Sequence, residues 1–278
     1  MKMKKPLQPI DNLRCKIDAI DTQIASLLQQ RAQHVNEIGK YKSHTNITIY
    51  NPIREFFQLN KLLDGNVGLL SNKNVLGIFR QIISLSYNLE GGMKLGFIET
   101  PTTQNSTLME IGCRKQFGLN APHLYRYENY KKLFHTIVNQ EVDYAVVAMS
   151  DASEWSPLLI KHKLHIHSSF VTEHLEALTE FMVISQKPLD DDNLNKTCVI
   201  ISCKQPSTLA NLERTLLEMR DKLPQEINIL PLTKNNQKFL LTINNNSSDK
   251  NIVAFLNDLQ NTFCVDYMVS YMAANIAY

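Results

Sequence analysis

The sequence predicts a multidomain α plus α/β chain, in which an all-α N-terminal region precedes an α/β lobe and a C-terminal βαββαβ unit. Three observations lead to this fold class. Between Leu13 and Ile38, apolar residues recur at steps of three and four, the period of one helix face, and no glycine or proline interrupts them. After Gly91 and Gly92, strand and helix patterns alternate, as is typical of an α/β layer. The acidic stretch 190–193 precedes a second alternation of strands and helices.

The first predicted helix, 11–42, would be about 48 Å long at 1.5 Å per residue. A helix of this length extends beyond a small monomeric bundle, so its apolar stripe needs a partner helix, which a second chain can supply. On this helix Arg31 and Lys42 fall within about 20° of each other, whereas Arg14 lies about 100° from Arg31. Arg31 and Lys42 can serve one pocket, while Arg14 points elsewhere, in a direction that suits a second chain's pocket. The alternative is that all three are solvated helix cations.

Two more helices are predicted before residue 91. Asn51 precedes a proline, which is typical of a helix N-cap, and the helix that follows is expected at 52–63. The next helix, 72–90, carries Ser86 and Glu90 four residues apart, so both side chains can face one pocket. The polar residues of interest on these two helices are Arg54, Glu55, Ser86 and Glu90.

Composition and charge argue against several classes of function. The net charge of +2 gives no reason to expect nucleic acid or a membrane surface as a partner, and no apolar run approaches membrane-spanning length. The five cysteines are widely spaced and form no CxxC pair, so neither a disulfide framework nor a zinc site is expected. The basic start, 1–6, is not followed by the apolar segment of a signal peptide. A reduced, cytoplasmic location is therefore expected.

The first 90 residues contain the pattern LRxxIDxID…LLxxR…IGxYK…NPxRE…IFRxIISxS. This pattern resembles the all-helical chorismate mutase domain, in particular the one that opens the bifunctional chorismate mutase–prephenate dehydratase. The resemblance implies an intertwined homodimer in which each active site receives one arginine from the other protomer. It also implies an intramolecular pericyclic rearrangement of chorismate to prephenate, for which no metal or cofactor is expected.

The resemblance assigns roles to individual residues. Arg14 from the partner and Arg31 would bind the two carboxylates of chorismate, because a guanidinium matches a planar carboxylate. Lys42 would donate to the ether oxygen, on which negative charge develops as the C–O bond breaks. The remaining contacts would come from Arg54 in the cationic wall, Glu55 as acceptor from the substrate hydroxyl, and Asn51 and Ser86 as polar contacts.

Glu90 stands where bacterial relatives often carry glutamine. The ether oxygen needs a hydrogen-bond donor; an ionised carboxylate only accepts, whereas a protonated one can donate. Activity is therefore expected to rise as the pH falls below neutral. The alternative is that Glu90 is a solvated residue at a helix end.

The region 93–190 is predicted to contain strands at 94–98 and 142–148 and helices at 106–117 and 130–139, with parallel strand pairing. This order resembles the first lobe of a prephenate dehydratase domain, but the catalytic motifs differ. The glycine-rich loop is replaced by 99–105, and the Thr-Arg-Phe signature becomes Thr179-Glu180-Phe181. The spacing also leaves too few residues for a second lobe. A reduced lobe without dehydratase activity is therefore expected, with Thr179 as a doubtful remnant.

Three histidines in this region, His162, His165 and His167, have a spacing that suggests a metal cluster. Leu164 and Ile166 alternate with them, which predicts a strand with the histidines on its polar face. No metal site is therefore predicted.

Residues 191–278 are predicted to form strands at 196–201, 227–232, 238–243 and 265–272 and helices at 207–220 and 249–261. This order is ferredoxin-like and resembles an ACT domain. Ser207-Thr208-Leu209 replaces the family's Gly-Ala-Leu, and 230–233 replaces Glu-Ser-Arg-Pro. The unit is expected to support dimerisation, without feedback by phenylalanine.

The domains are accordingly placed at 1–92, 93–190 and 191–278. The function favoured by the sequence is a cytoplasmic, homodimeric chorismate mutase of phenylalanine and tyrosine biosynthesis. One alternative is a bifunctional enzyme that also converts prephenate to phenylpyruvate. Another is a non-catalytic dimeric scaffold or regulator.

Overall fold

A computed structural model of the chain describes residues 9–45, 47–99, 104–119, 122–174, 177–189, 191–204, 214–215, 227–233 and 237–274. Three helices form the N-terminal region: α1 (Pro9–Thr45), α2 (Pro52–Asp64) and α3 (Asn72–Leu89). Asn51 caps α2 by accepting a hydrogen bond from the Arg54 backbone at 2.9 Å, as predicted. Ser71 caps α3 in the same way.

Helix α1 contacts α3 at its C-terminal end and leaves most of its length exposed. Its buried residues are Val35 and Gly39. A Cβ atom at Gly39 would lie 2.8 Å from the Cα of Glu90, so only glycine lets the two helices approach this closely. The apolar stripe of the same helix is uncovered in the single chain, with exposed fractions of 49–62% at Ile10, Leu13, Ile17, Ile20, Ile24 and Leu27.

The α/β region follows directly after α3. Its elements are β1 (Met93–Ile98), α4 (Gln104–Phe117), β2 (Pro122–Tyr127), α5 (Tyr130–Val138), β3 (Tyr144–Ala148), a 3-10 turn (Met149–Asp151), α6 (Ala152–His162), β4 (His165–His174) and β5 (Ala177–Ser185). The C-terminal elements are β6 (Lys196–Cys203), β7 (Ile227–Pro231), β8 (Lys238–Ile243), α7 (Lys250–Thr262) and β9 (Phe263–Ala273).

The strands form one sheet in the order β2-β1-β3-β5-β4-β9-β6-β8-β7. Strand β1 pairs in parallel with β3, as predicted for an α/β layer, and also with β2. The pairs β3–β5, β4–β5, β6–β8, β6–β9 and β7–β8 are antiparallel. A short parallel contact between β4 and β9, at Ser168–Met272 and Ser169–Ala273, joins the two halves of the sheet.

One hydrophobic core connects the helical region to the α/β region. Tyr50, which is fully buried, packs edge-on against Tyr87, Phe117 and Tyr144 at centroid distances of 6.4, 5.2 and 5.6 Å. Its hydroxyl also lies 2.9 Å from the Ser168 hydroxyl of β4. The helices that carry the candidate site are therefore fixed on the sheet. A second core lies under α7.

The prediction for the histidines is wrong in two respects. His162 ends α6 rather than lying on a strand, and His167 is buried instead of facing solvent. A register irregularity between Ile166 and Ser168 breaks the alternation of faces. Burial lowers the pKa of His167 to about 4, which favours the neutral ring. The described residues include no group of three His, Cys, Asp or Glu side chains suited to a metal.

Some predictions fall on residues that the structure does not describe. They include 207–209 and all of the predicted helix 207–220 except Arg214 and Thr215. Strands β2 and β5 and helix α6 were not predicted. Within the described ranges, the helices lack the combination of length and apolar content that a membrane span needs.

Candidate active site

The candidate site lies where the C-terminal part of α1 meets the end of α3. Lys42 Nζ donates to Glu90 Oε2 at 2.7 Å and to the Ile49 carbonyl at 2.8 Å. The Lys42 and Glu90 side chains are only 17% and 10% exposed, so this ion pair is partly shielded from water. The close approach at Gly39, one turn before Lys42, brings the two charged groups together.

Arg31 occupies the same side of α1, three turns before Lys42, as its sequence position predicts. Its NH1 donates to the Ser86 hydroxyl at 2.6 Å and to the Ile82 carbonyl at 3.4 Å. Burial lowers the pKa of Arg31, while Glu90 raises it and Arg54 lowers it. An arginine stays charged at neutral pH under such a shift, so this guanidinium remains a cation facing α3.

Glu55 on α2 completes the charged cluster. The Tyr87 hydroxyl donates to Glu55 Oε1. Burial raises the pKa of Glu55 to about 7; the Tyr87 hydrogen bond, Arg80 and Lys42 oppose this shift, and Glu90 adds to it. Because Lys42 and Glu90 both act on Glu55, the three groups form one electrostatic unit.

Two predicted site residues are partly used in other contacts. Asn51 is exposed, and its side-chain oxygen accepts the Arg54 backbone N–H at the start of α2. The side chain of Arg54 is exposed, but its charge is felt by Arg31, which puts it near the cluster. The cap therefore orients α2 and presents Arg54 at the rim of the cluster.

Arg14 is not brought to this cluster within one chain. It is exposed, and its NH1 lies 3.4 Å from Oδ1 of Asp11 on the same helix. Arg31 follows Arg14 by 17 positions, which corresponds to about 25 Å along α1. Within a single chain the cluster consequently contains Arg31, Lys42, Arg54, Glu55, Ser86 and Glu90, without Arg14.

Two residues that act on Glu55 from outside this cluster were missed from the sequence. Tyr87 looks like a core residue of α3, and its contact with Glu55 depends on how α2 packs. Arg80 lies inside the IFRxIISxS pattern but acts on Glu55 only through the tertiary structure. The pattern itself was the only signal available for Arg80.

The cluster can bind a small organic anion. Arg31, Lys42 and Arg54 supply charge and N–H donors, and a carboxylate with a pKa near neutrality can accept from a hydroxyl. Fixed cations in a partly dehydrated site also stabilise negative charge that develops during a reaction. The N-terminal region is thus a helical unit whose charged cluster has the chemistry to bind a small anion.

Residues 13–91 match the family described as chorismate mutase type II. The chain is 29% identical over 153 residues to the bifunctional chorismate mutase/prephenate dehydratase of Neisseria gonorrhoeae, a match that covers 54% of this chain and 40% of that protein. It is also 29% identical over 154 residues to the bifunctional protein of Aquifex aeolicus, with 53% and 41% covered. The resemblance to the bifunctional family is confirmed, and these matches span about two-fifths of the relatives' length.

Solved structures of prephenate dehydratases show a weaker likeness. The enzyme from Streptococcus mutans is 14% identical with a TM-score of 0.43, covering 65% of this chain and 99% of that chain. The enzyme from Staphylococcus aureus is 10% identical with a TM-score of 0.47, covering 64% and 100%.

Proposed function

We propose that the protein is a chorismate mutase that converts chorismate to prephenate in aromatic amino acid biosynthesis. The observation that carries this proposal is the cluster of Arg31, Lys42, Glu55 and Glu90, which lies inside the region that matches the type II family. The rearrangement needs a substrate held in a folded conformation and a donor at the breaking ether bond. Both requirements fit a cationic pocket between helices.

In this proposal some residues of the cluster bind the substrate, and others stabilise the negative charge that develops during the reaction. Arg31, held by Ser86, binds one substrate carboxylate, and Lys42 donates to the ether oxygen and a carboxylate. Arg54 supports the cationic wall, and Asn51 caps the helix that carries Glu55. Glu55 accepts from the substrate hydroxyl.

Glu90 supplies a second donor to the ether oxygen when it is protonated. Its Oε2 accepts a hydrogen bond from Lys42 Nζ. A protonated Glu90 would release Lys42 and donate, so activity is expected to increase below neutral pH.

The proposed active form is a homodimer in which Arg14 enters the partner's site. The exposed apolar stripe of α1 supports this form, because six large apolar side chains lie along one helix without cover. The second carboxylate of chorismate would then bind the partner's Arg14, and each site would be incomplete in a monomer.

The dehydratase activity is proposed to be absent. Glu180, which replaces the arginine of the Thr-Arg-Phe signature, pairs with Lys196 at 3.1 Å. Phe181 is buried and stacks on Phe170 at 5.3 Å, while Thr179 pairs with Thr172 across the strands. These contacts give the signature residues structural roles in the sheet. The bifunctional alternative requires a substrate site at the half-exposed Thr179.

The C-terminal unit is proposed to be ACT-like and to support association. Its strand order, β9-β6-β8-β7, with antiparallel neighbours, is the order of a ferredoxin-like sheet. The 230–233 segment lacks the charged residues of the family's ligand motif. A cytoplasmic location stays a prediction.

A chorismate assay on the full chain at about pH 5 and pH 7.5 tests the proposal, with prephenate and phenylpyruvate quantified separately, on the usual scale of carboxylate titration. Prephenate alone, formed faster at the lower pH, is expected. Phenylpyruvate above the spontaneous acid background would restore the bifunctional alternative. Chorismate that binds without being consumed would favour the non-catalytic scaffold.

A further inference from the structure

A cavity lies between α3, the C-terminal half of α4 and strand β4. Its volume is about 810 Å³, within the range of small-molecule sites. Around the axis of α3, Arg80 lies about 120° from Ser86 at 100° per residue. None of the six residues of the cluster described above lines this cavity. The cavity is therefore separate from the mutase cluster.

The charged groups around this cavity are mainly cations. Lys73, Arg80, Arg114 and Lys115 line it together with one carboxylate, Glu173. Arg114 is neutralised by Glu110 at 2.8 Å. Within the described part of the chain, the other three cations have no carboxylate within 4.0 Å; Lys115, for example, donates to the backbone carbonyl of Glu173 at 2.8 Å. This excess of positive charge favours an anionic ligand.

Arg80 is held in place before any ligand arrives. Its NH1 donates to the Gln116 backbone oxygen at 2.8 Å and to the Gln116 side-chain oxygen at 2.9 Å, and Gln116 is only 7% exposed. These acceptors are neutral, so they orient the guanidinium without cancelling its charge. A pre-oriented guanidinium loses little conformational entropy when it binds a carboxylate.

Apolar side chains form the rest of the cavity. Leu178 and Leu119 are 74% and 58% exposed, and buried Phe170 and half-buried Ile111 lie between the charged groups. Large apolar side chains left in water beside fixed cations are typical of a ligand site. They favour a ligand with an apolar body over a bare phosphate or sulfate.

We propose that this cavity binds a small organic anion with an apolar body, an arylalkanoate being the simplest member of the class. The carboxylate would contact Arg80 and Lys115, and the apolar body would lie on Leu119 and Leu178. Arg80 also lowers the pKa of Glu55, so an occupied cavity weakens the field of Arg80 on the mutase cluster. This last consequence rests on the proposed function, whereas ligand binding does not.

The test compares three probes that share a phenylpropyl body: 3-phenylpropionate, 3-phenylpropan-1-ol and 3-phenylpropylammonium. Binding to the full chain is measured by isothermal titration calorimetry at low salt. The anion is expected to bind saturably, at least about tenfold more tightly than the alcohol, which is the scale of one charge-assisted hydrogen bond. The ammonium probe is expected not to bind.

Variants assign the binding to this cavity. Lys115→Gln and Lys73→Gln are each expected to lower the affinity for 3-phenylpropionate several-fold. Lys61→Gln, which removes an exposed cation of α2, is the matched control. Lys42→Ala is expected to leave the affinity unchanged. Equal affinity for anion and alcohol, or equal effects of Lys115→Gln and Lys61→Gln, would overturn the proposal. Loss of binding in Lys42→Ala would assign the anion to the mutase cluster and would also overturn it.

Discussion

The helical region and the α/β region use their buried charges in different ways. Between the helices, Arg31 and Lys42 are aimed at α3, and Glu55 has a pKa of about 7. On the sheet, Glu180 is already paired with Lys196, and the neighbouring Phe181 belongs to the core. The first arrangement maintains charge at a cost in stability, as functional sites do. The second is an ordinary ion pair that supports the fold.

The largest expected effect comes from removing a cation of the helical cluster. Lys42→Ala should lower the rate of prephenate formation by about 10²–10³-fold, because it removes a donor to the developing charge. The matched variants Lys61→Ala, on the surface of α2, and Glu180→Gln, on the sheet, should leave this rate unchanged. If Glu180→Gln lowered the rate as much as Lys42→Ala does, the ion pair on the sheet would also serve the reaction, and the distinction between a catalytic and a structural region would be wrong.

The close approach of α1 and α3 gives the next prediction. Gly39→Ala places a Cβ 2.8 Å from the Glu90 Cα, so the helices must separate, at a cost of about 1–3 kcal/mol. Gly77→Ala is the control, since a Cβ there meets nothing within 4 Å, and alanine in a helix interior should stabilise by about 0.5–1 kcal/mol. Urea unfolding measures the free energy of unfolding of both variants, which should fall in Gly39→Ala and rise in Gly77→Ala. Destabilisation of similar size in both would show that the Gly39 contact has no special role.

The pH dependence of the reaction tests the role of Glu90. Glu90→Gln provides an amide donor at every pH, so its rate between about pH 5 and 8 should be flatter than that of the wild type, whose carboxylate must be protonated to donate. Stopped assays of prephenate across this range compare the two proteins. A wild-type profile as flat as that of the variant would remove Glu90 as a donor.

The raised pKa of Glu55 predicts a pH-dependent change in stability. Burial raises the pKa of Glu55 to about 7, so the folded protein binds this proton more tightly than the unfolded chain does. The contribution of Glu55 to the free energy of unfolding is therefore most favourable below about pH 4.3, the pKa of a glutamate in the unfolded chain. This contribution is lost as the pH rises to about 7. Glu55→Gln should be more stable than the wild type above pH 7, by about 3–4 kcal/mol, with the difference shrinking in acid. Paired urea titrations at several pH values measure it; a difference that does not vary with pH would contradict the raised pKa.

Local rules predicted the helical region well. The three-and-four spacing of α1, the N-cap at Asn51 and the glycines after α3 are all local features of the sequence. The common direction of Arg31 and Lys42 follows from helix geometry alone. What could not be predicted was how closely α1 approaches α3, because that distance depends on packing at Gly39.

The α/β region was harder to predict for physical reasons. Strand β2 lies at the edge of the sheet and carries exposed or half-exposed side chains, so it lacks an apolar run. Helix α6 contains Pro157, which weakens its helical pattern. His167 is buried because its ring packs against Tyr50 and Tyr144, at centroid distances of 5.5 and 5.3 Å, so both faces of β4 are covered here. The edge position of β2 and the burial of His167 are set by neighbouring elements, which the pattern of a single strand does not contain.

The central claim is that two copies of the chain build each mutase site. Complementation tests it most directly: Arg14→Ala and Lys42→Ala proteins are each inactive, but their mixed dimer contains one intact site. Co-expression should restore about a quarter of the wild-type rate if subunits pair at random. Arg31→Ala with Lys42→Ala is the control that should restore none, since no intact site can form. Full activity of Arg14→Ala alone, or no recovery in the first mixture, would contradict the claim.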